Sequence, residues 1–161
     1  MKKVLTLIGL VALVLVGATA LLPIATGIER VAGSSVEAYR AYDFVFSNPA
    51  NYYTRESNGT MIAAFSLNLI AILFCLLGFV FLVPEGTKKF GSFLLFVGGG
   101  CALATGIIYI LAKQILNLEA MVALNEATFS LKFGFIGAGI GGLAAGALGL
   151  AGGFLGMASK K

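Results

Sequence analysis

The sequence predicts an all-α membrane protein: a four-transmembrane-helix bundle forming a single integral membrane domain over residues 1–161. Three observations predict it. Charged residues are only 11% of the chain and hydrophobic ones 59%, whereas a soluble domain carries about 25% charged residues. Four stretches hold no charge, at about residues 4–28, 60–83, 90–112 and 133–158. Each meets the roughly 20 residues needed to cross about 30 Å of hydrocarbon as a helix. The short alternating segments of a membrane β-barrel are missing.

The first span begins after "MKK" and contains "ATA" at Ala18–Ala20. Basic start, apolar run and small residues also fit a secretory signal peptide covering residues 1–20. The apolar run continues through "LLPIATGI", well past that site, so the segment is read as a retained span. The second span carries Ser66, Asn68 and Cys75 as its polar candidates. Asn68 is expected to make an interhelical hydrogen bond worth about 1 kcal/mol. The third span holds Cys101, Thr105, the run Gly98–Gly100 and a later Gly106. Beyond it, "KQILNLEAMVALNEAT" spaces Ile115, Leu118, Val122 and Asn125 helically. It reads as a helical extension followed by a short turn into the fourth span.

The fourth span is the unusual one. Residues 133–156 read "FGFIGAGIGGLAAGALGLAGGFLG", in which ten residues are glycine. Each helical glycine costs roughly 1 kcal/mol against alanine in water, so the composition needs a reason. Steps of three and four residues share a helix face. Gly134, Ala138, Gly141, Ala145, Gly149, Gly152 and Gly156 form such a line, and every member is small. Ile136, Ile140, Leu143, Ala147, Leu150 and Phe154 form a mostly bulky line on nearly the opposite side. In lipid, small residues let two helix backbones approach closely. The small line is therefore expected to be a helix-packing face, and the glycines of the third span offer a mate. The mate is expected within the chain, in a second copy, or in another membrane protein.

Charge sets the orientation. Lys2, Lys3, Lys88, Lys89, Lys160 and Lys161 fall on one side with Glu85 as the one acid. Arg30, Arg40, Arg55, Lys113 and Lys132 fall on the other, diluted by six acids. The positive-inside rule then places both termini in the cytoplasm, in the cell membrane, and puts an outer loop at 29–59. In that loop Tyr39, Tyr42, Phe44, Phe46, Tyr52 and Tyr53 stand out. "YDFVF", "SNPAN" and "NYYT" read as strand, turn and strand, a short β-hairpin; the alternative is an amphipathic helix through "SSVEAYRAY". The aromatics are candidate partner contacts, or a lid lying in the headgroup region. Asn58–Thr60 matches the glycosylation sequon but abuts the membrane. Four spans, inside termini, a large first outer loop and an extended third span make a layout similar to claudin-like and other tetraspan proteins. The loop lacks the tryptophan and cysteine pair of the claudin signature, so the resemblance stops at layout.

Chemistry is sparse. The chain has no histidine, the commonest metal ligand and neutral-pH base. No span holds an interior Asp, Glu, Lys or Arg, the usual mark of an ion or proton path. Glu119 and Glu126 sit on an outer turn with nothing to order them. Cys75 and Cys101 lie in apolar runs, where cysteines pack rather than react. "GAGIGG" resembles a dinucleotide motif but has no preceding strand. No cofactor or metal, and no nucleic-acid partner, is expected. The expected function is non-catalytic: a tetraspan protein working through helix–helix and outer-loop contacts, as accessory subunit, scaffold or self-associating protein. Its partners would be the lipid bilayer and a membrane protein or further copies of itself. The alternative is a transport component, either a small-solute or lipid channel or the membrane subunit of a transporter.

Overall fold

A computed structural model of the chain describes residues 2–25, 28–32, 34–46, 58–84, 86–116 and 128–159. Its elements are α1 (Lys2–Ala25), β1 (Ile28–Ala32), β2 (Ser35–Tyr39), α2 (Ala41–Phe46), α3 (Gly59–Leu82), α4 (Lys88–Ile110), α5 (Ala112–Ile115), β3 (Thr128–Leu131) and α6 (Phe133–Ala158). Four of these, α1, α3, α4 and α6, are long and apolar enough to cross a membrane. A helix satisfies its own backbone hydrogen bonds, which hydrocarbon cannot do. The protein is thus mostly helical and suited to the membrane, with one small sheet added.

The four long helices form a ring in chain order, α1–α3–α4–α6, and α6 closes back on α1. Every neighbouring pair is antiparallel. Thr19 of α1 meets Asn68 of α3, while Gly9 faces Leu82. Gly78 of α3 lies on Gly91 of α4, and Thr105 reaches Ala64. Gly142 of α6 lies on Gly106 of α4 and Gly153 on Phe96; Gly137 faces Leu22 of α1 and Gly152 faces Ile8. The outward surface is apolar: Val14, Leu73, Ile140 and Phe154 are all more than half exposed. Such exposure suits contact with lipid tails, which are as apolar as leucine.

Local chemistry explains the helix ends. The Asn58 side chain accepts hydrogen bonds from the Thr60 and Met61 amides, 3.0 and 3.1 Å away, and so caps α3. A cap of this kind is worth about 1 kcal/mol. The sequon asparagine therefore has a structural task. Pro23 falls in the last turn of α1, where it removes the amide donor to the preceding turn and marks the end of the helix two residues later. At the opposite end of the bundle, the Lys88 ammonium donates to Ser159 Oγ at 2.9 Å, tying the start of α4 to the end of α6.

One end of the bundle is capped by a three-stranded antiparallel sheet of order β2-β1-β3. Its register pairs Arg30 with Glu37 across β1–β2 and Glu29 with Ser130 across β1–β3. Cross-strand charges follow that register. Arg30 lies 3.2 Å from Glu37, and Lys132, diagonal to Glu29, lies 2.5 Å from it. Under the sheet, α2 plugs the ring. Ala41, Phe44 and Val45 are buried with Ile28, Tyr39, Met61, Ala64, Tyr109, Phe135 and Ala138 in one apolar cluster.

The cap corrects several expectations. The fold is not purely α-helical. The first span ends at Ala25, and Ile28 already belongs to β1. "YDFVF" is not a strand; it lies in α2. Ala41, Phe44 and Val45 bury at steps of three and four, a helix period, and the Asp43 carboxylate accepts the Arg40 amide at 2.8 Å as a capping box would. A hairpin does exist at β1–β2; of the expected one, residues 42–46 are helical, and "SNPAN" and "NYYT" lie outside the described residues. In "SSVEAYRAY" no single helix forms: Ser35–Tyr39 make β2, and Ala41 and Tyr42 begin α2. The third strand, "TFSL", enters directly before α6, where a turn was expected. α5 extends the third span by a single turn after Leu111, and the rest of the expected extension lies outside the described residues.

Candidate functional site

Two surfaces hold the residues singled out in the sequence: the inner face of α6 and the capped end.

On α6, Gly134, Ala138, Ala145, Gly149, Gly152 and Gly156 are buried, and Gly141 is half-buried. Their partners belong to the same chain. Gly141 faces Thr19 of α1 and Gly152 faces Ile8. Gly149 lies on the Gly99 backbone of α4, and Gly156 lies on Ser92 of α4 and near Leu5 of α1. The line thus runs along the junction where α6 meets both neighbours. Sequence reasoning missed a second small row, Gly139, Gly142, Gly146 and Gly153, which packs against α4 as closely as Gly149 does. A methyl group added at Gly142 would sit 2.8 Å from Gly106 Cα, and one at Gly153 2.7 Å from Phe96 N. The signal was present: this row has the same three- and four-residue steps, and Ser92, Gly99 and Gly106 recur every seven residues on α4.

The run Gly98–Gly100 shows how finely the faces divide. Successive helix residues turn by roughly 100°. Gly98 abuts Cys75 and Ala71 of α3, Gly99 abuts Gly149 and Leu150 of α6, and Gly100 meets open space. Cys75 is buried and Cys101 half-buried, both as free thiols.

Between α1 and α3 lies a buried polar pair. Thr19 Oγ1 is 2.6 Å from the Val16 carbonyl and 3.1 Å from the Asn68 amide group. Thr19 and Asn68 are 1% and 2% exposed. One hydroxyl proton cannot serve two acceptors, and the shorter bond to Val16 takes it. The Asn68 amide then turns its NH2 toward Thr19, which accepts. This is an interhelical bond inside the ring. Thr105 makes a similar link, donating to Cys101 O at 3.0 Å and lying 3.5 Å from Ala64 O of α3.

At the capped end the aromatics separate into two kinds. Tyr39 and Phe44 are 2% and 3% exposed, with ring centroids 6.2 Å apart; they are core of the cap. Tyr42 and Phe46 are 36% and 65% exposed. Arg40 lies over the Tyr42 ring at 5.9 Å, and Phe46 meets Phe65 edge-on at 5.7 Å. Tyr52 and Tyr53 lie outside the described residues. Val36 of β2 and Phe133 of α6, 61% and 71% exposed, add apolar surface at this end. The Tyr39 hydroxyl and the Arg30 guanidinium both donate to the same Glu37 oxygen. The Tyr39 bond, then Arg30, hold the Glu37 carboxyl below its ordinary range against some desolvation.

Among the described residues, no group of three or more His, Cys, Asp or Glu side chains is placed to hold a metal. The outer acids Glu119 and Glu126 lie outside the described residues. No protein-family model matches the chain, and no curated protein matches it in sequence.

Proposed function

We propose that this is a non-catalytic tetraspan protein of the cell membrane that acts by contact, through its capped end. The observation that carries the reading is the contrast between its two candidate surfaces. The small-residue face of α6 is occupied by α1 and α4 of the same chain. The capped end instead exposes Tyr42, Phe46 and Val36, with Arg40 over the Tyr42 ring, aromatics with arginine being typical of contact hot spots. The sheet and plug beneath them rest on the bundle core, so the contact surface is carried on ordered elements. By the positive-inside rule the lysine-bearing end, with both termini, faces the cytoplasm and the cap faces out. The partner is a membrane protein or a further copy of this chain, which makes the protein an accessory subunit, a scaffold or a self-associating unit.

The transport reading has less support. The space enclosed by the ring is filled by Val16, Ala71, Leu95, Ala102 and Ala145, none more than 1% exposed, and α2 plugs one end.

The test is to purify the protein gently from its native membrane, measure the mass of the complex and identify every chain in it. Expected is a partner, or a second copy, at fixed stoichiometry. The Tyr42→Ser, Phe46→Ser double variant should lose it while unfolding at an unchanged temperature. A lone monomer, or a complex indifferent to the double variant, overturns the reading.

A further inference from the structure

Away from the cap, on the lipid-facing side at the lysine-bearing end, α1 and α3 leave a groove between them. Lys3, Thr6, Leu7 and Leu10 of α1 line it with Phe79 of α3 and Val83, which caps that helix, around a volume of about 540 Å³. Leu7, Leu10 and Val83 are 60%, 43% and 52% exposed. Lys3, Leu7 and Leu10 follow one another by four and three residues, so they share a single helix row. The row begins with a charge where the span begins and continues as hydrocarbon into the bilayer. A phospholipid has the same order, a charged headgroup followed by an acyl chain.

Charge selects the headgroup. Lys3, Lys88 and Lys89 lie at this end of the bundle, and Glu85 is the one acid the sequence supplies there. Basic positions at a span end attract anionic lipid at about 1 kcal/mol per residue. An apolar groove within a bilayer is filled by an acyl chain, because water there would meet no polar partners.

We infer that this groove seats an acyl chain of an anionic phospholipid, with Lys3 holding the headgroup phosphate. The site rests only on the chain being integral to a membrane and is independent of what the cap binds.

The chain contains no tryptophan, so one introduced indole reports its own surroundings. Leu7→Trp places it in the groove. Phe154→Trp, at matching depth on α6 because Gly152 faces Ile8 and Gly156 lies near Leu5, places it on lipid-facing surface away from the groove. Each variant is reconstituted in vesicles of phosphatidylcholine and phosphatidylglycerol, with one or the other lipid brominated on its chains. Brominated phosphatidylglycerol should quench Leu7→Trp more than brominated phosphatidylcholine does, by an occupancy ratio of about fivefold, the worth of one lysine at an anionic surface. Adding Lys3→Gln should abolish that preference, and Phe154→Trp should show none that depends on Lys3. Equal quenching by the two lipids at Leu7→Trp, or a preference that survives Lys3→Gln, overturns the site.

Discussion

Consider Gly99→Ala, a change of one methyl group. The new Cβ would lie 2.7 Å from Leu150 N and 2.8 Å from the carbonyl carbon of Gly149. Both are backbone atoms of α6 and cannot rotate aside. Ordinary contact begins near 3.4 Å, so α4 and α6 must separate by about 0.7 Å at this crossing. The strain spreads, because Gly106 and Gly142 touch in the same interface with equally little room. Forcing a methylene into a packed core costs about 1–3 kcal/mol. Gly100→Ala is the matched control: the same chemical change, one residue on, meeting nothing within 4 Å. It should be neutral or stabilising by up to about 1 kcal/mol, the helical advantage of alanine. The two variants should therefore differ by about 1–4 kcal/mol. Reversible unfolding in bicelles, followed by a steric trap or by denaturant, measures the difference. The reciprocal variant Gly149→Ala, whose Cβ would lie 2.7 Å from Gly99 Cα, should couple to it. Once one methyl has parted the helices the second costs less, so the double variant should lose less than the two single losses together. If Gly99→Ala and Gly100→Ala are equally stable, the close α4–α6 contact is refuted.

Three further outcomes follow from the same structure. Asn68→Ala and Thr19→Val should each destabilise by about 1 kcal/mol, with a coupling of about 0.6 kcal/mol in a double-mutant cycle; zero coupling would mean the pair is not bonded. Asn58→Ala should cost about 1 kcal/mol by uncapping α3, with hydrogen exchange rising first at Thr60 and Met61. Glu37 has a depressed pKa in the folded cap. Its stabilisation is thus present above the ordinary glutamate value and is lost as pH falls through the lower folded value. Amide exchange in β1 and β2 should therefore quicken below roughly pH 4, and Glu37→Gln should remove that pH dependence.

How much of this the sequence disclosed depended on which force shaped each part. The spans were legible because hydrocarbon imposes length and charge limits that any reader can count, and their ends moved by only a few residues. Gly134, Gly152 and Gly156 were legible as inward-facing because a single line of small residues repeats at helical steps. Gly139 and Gly146 were not, because a helix with two neighbours has two small rows, and one line describes only their seam. The cap was least legible. Tyr42, Phe44, Val45 and Phe46 have strand-forming side chains, yet burial of Ala41, Phe44 and Val45 in the apolar cluster against α3 and α1 decided for a helix. β3 was hidden because its four residues gain their pairing from β1, nearly a hundred positions earlier. Tyr39 and Tyr42 look alike in sequence, and only the direction of the β2 pleat and the α2 turn buries one and exposes the other.

That distant pairing has a consequence for how the protein is assembled. β1 and β2 are neighbours in sequence and can join as soon as the first span has been threaded. β3 arrives only after α3 and α4 are in place, and its partner strand leaves from the end of α1. The sheet then clasps the first and fourth spans together, with α6 seated between α1 and α4. Until α6 takes that place the backbones of Gly99 and Gly106 on α4 lack the α6 contact that covers them, and after it they are closed. In a pulse-labelled synthesis, the β1–β2 amides should gain protection early, and the β1–β3 amides should gain it together with the α4–α6 contact, in one final step.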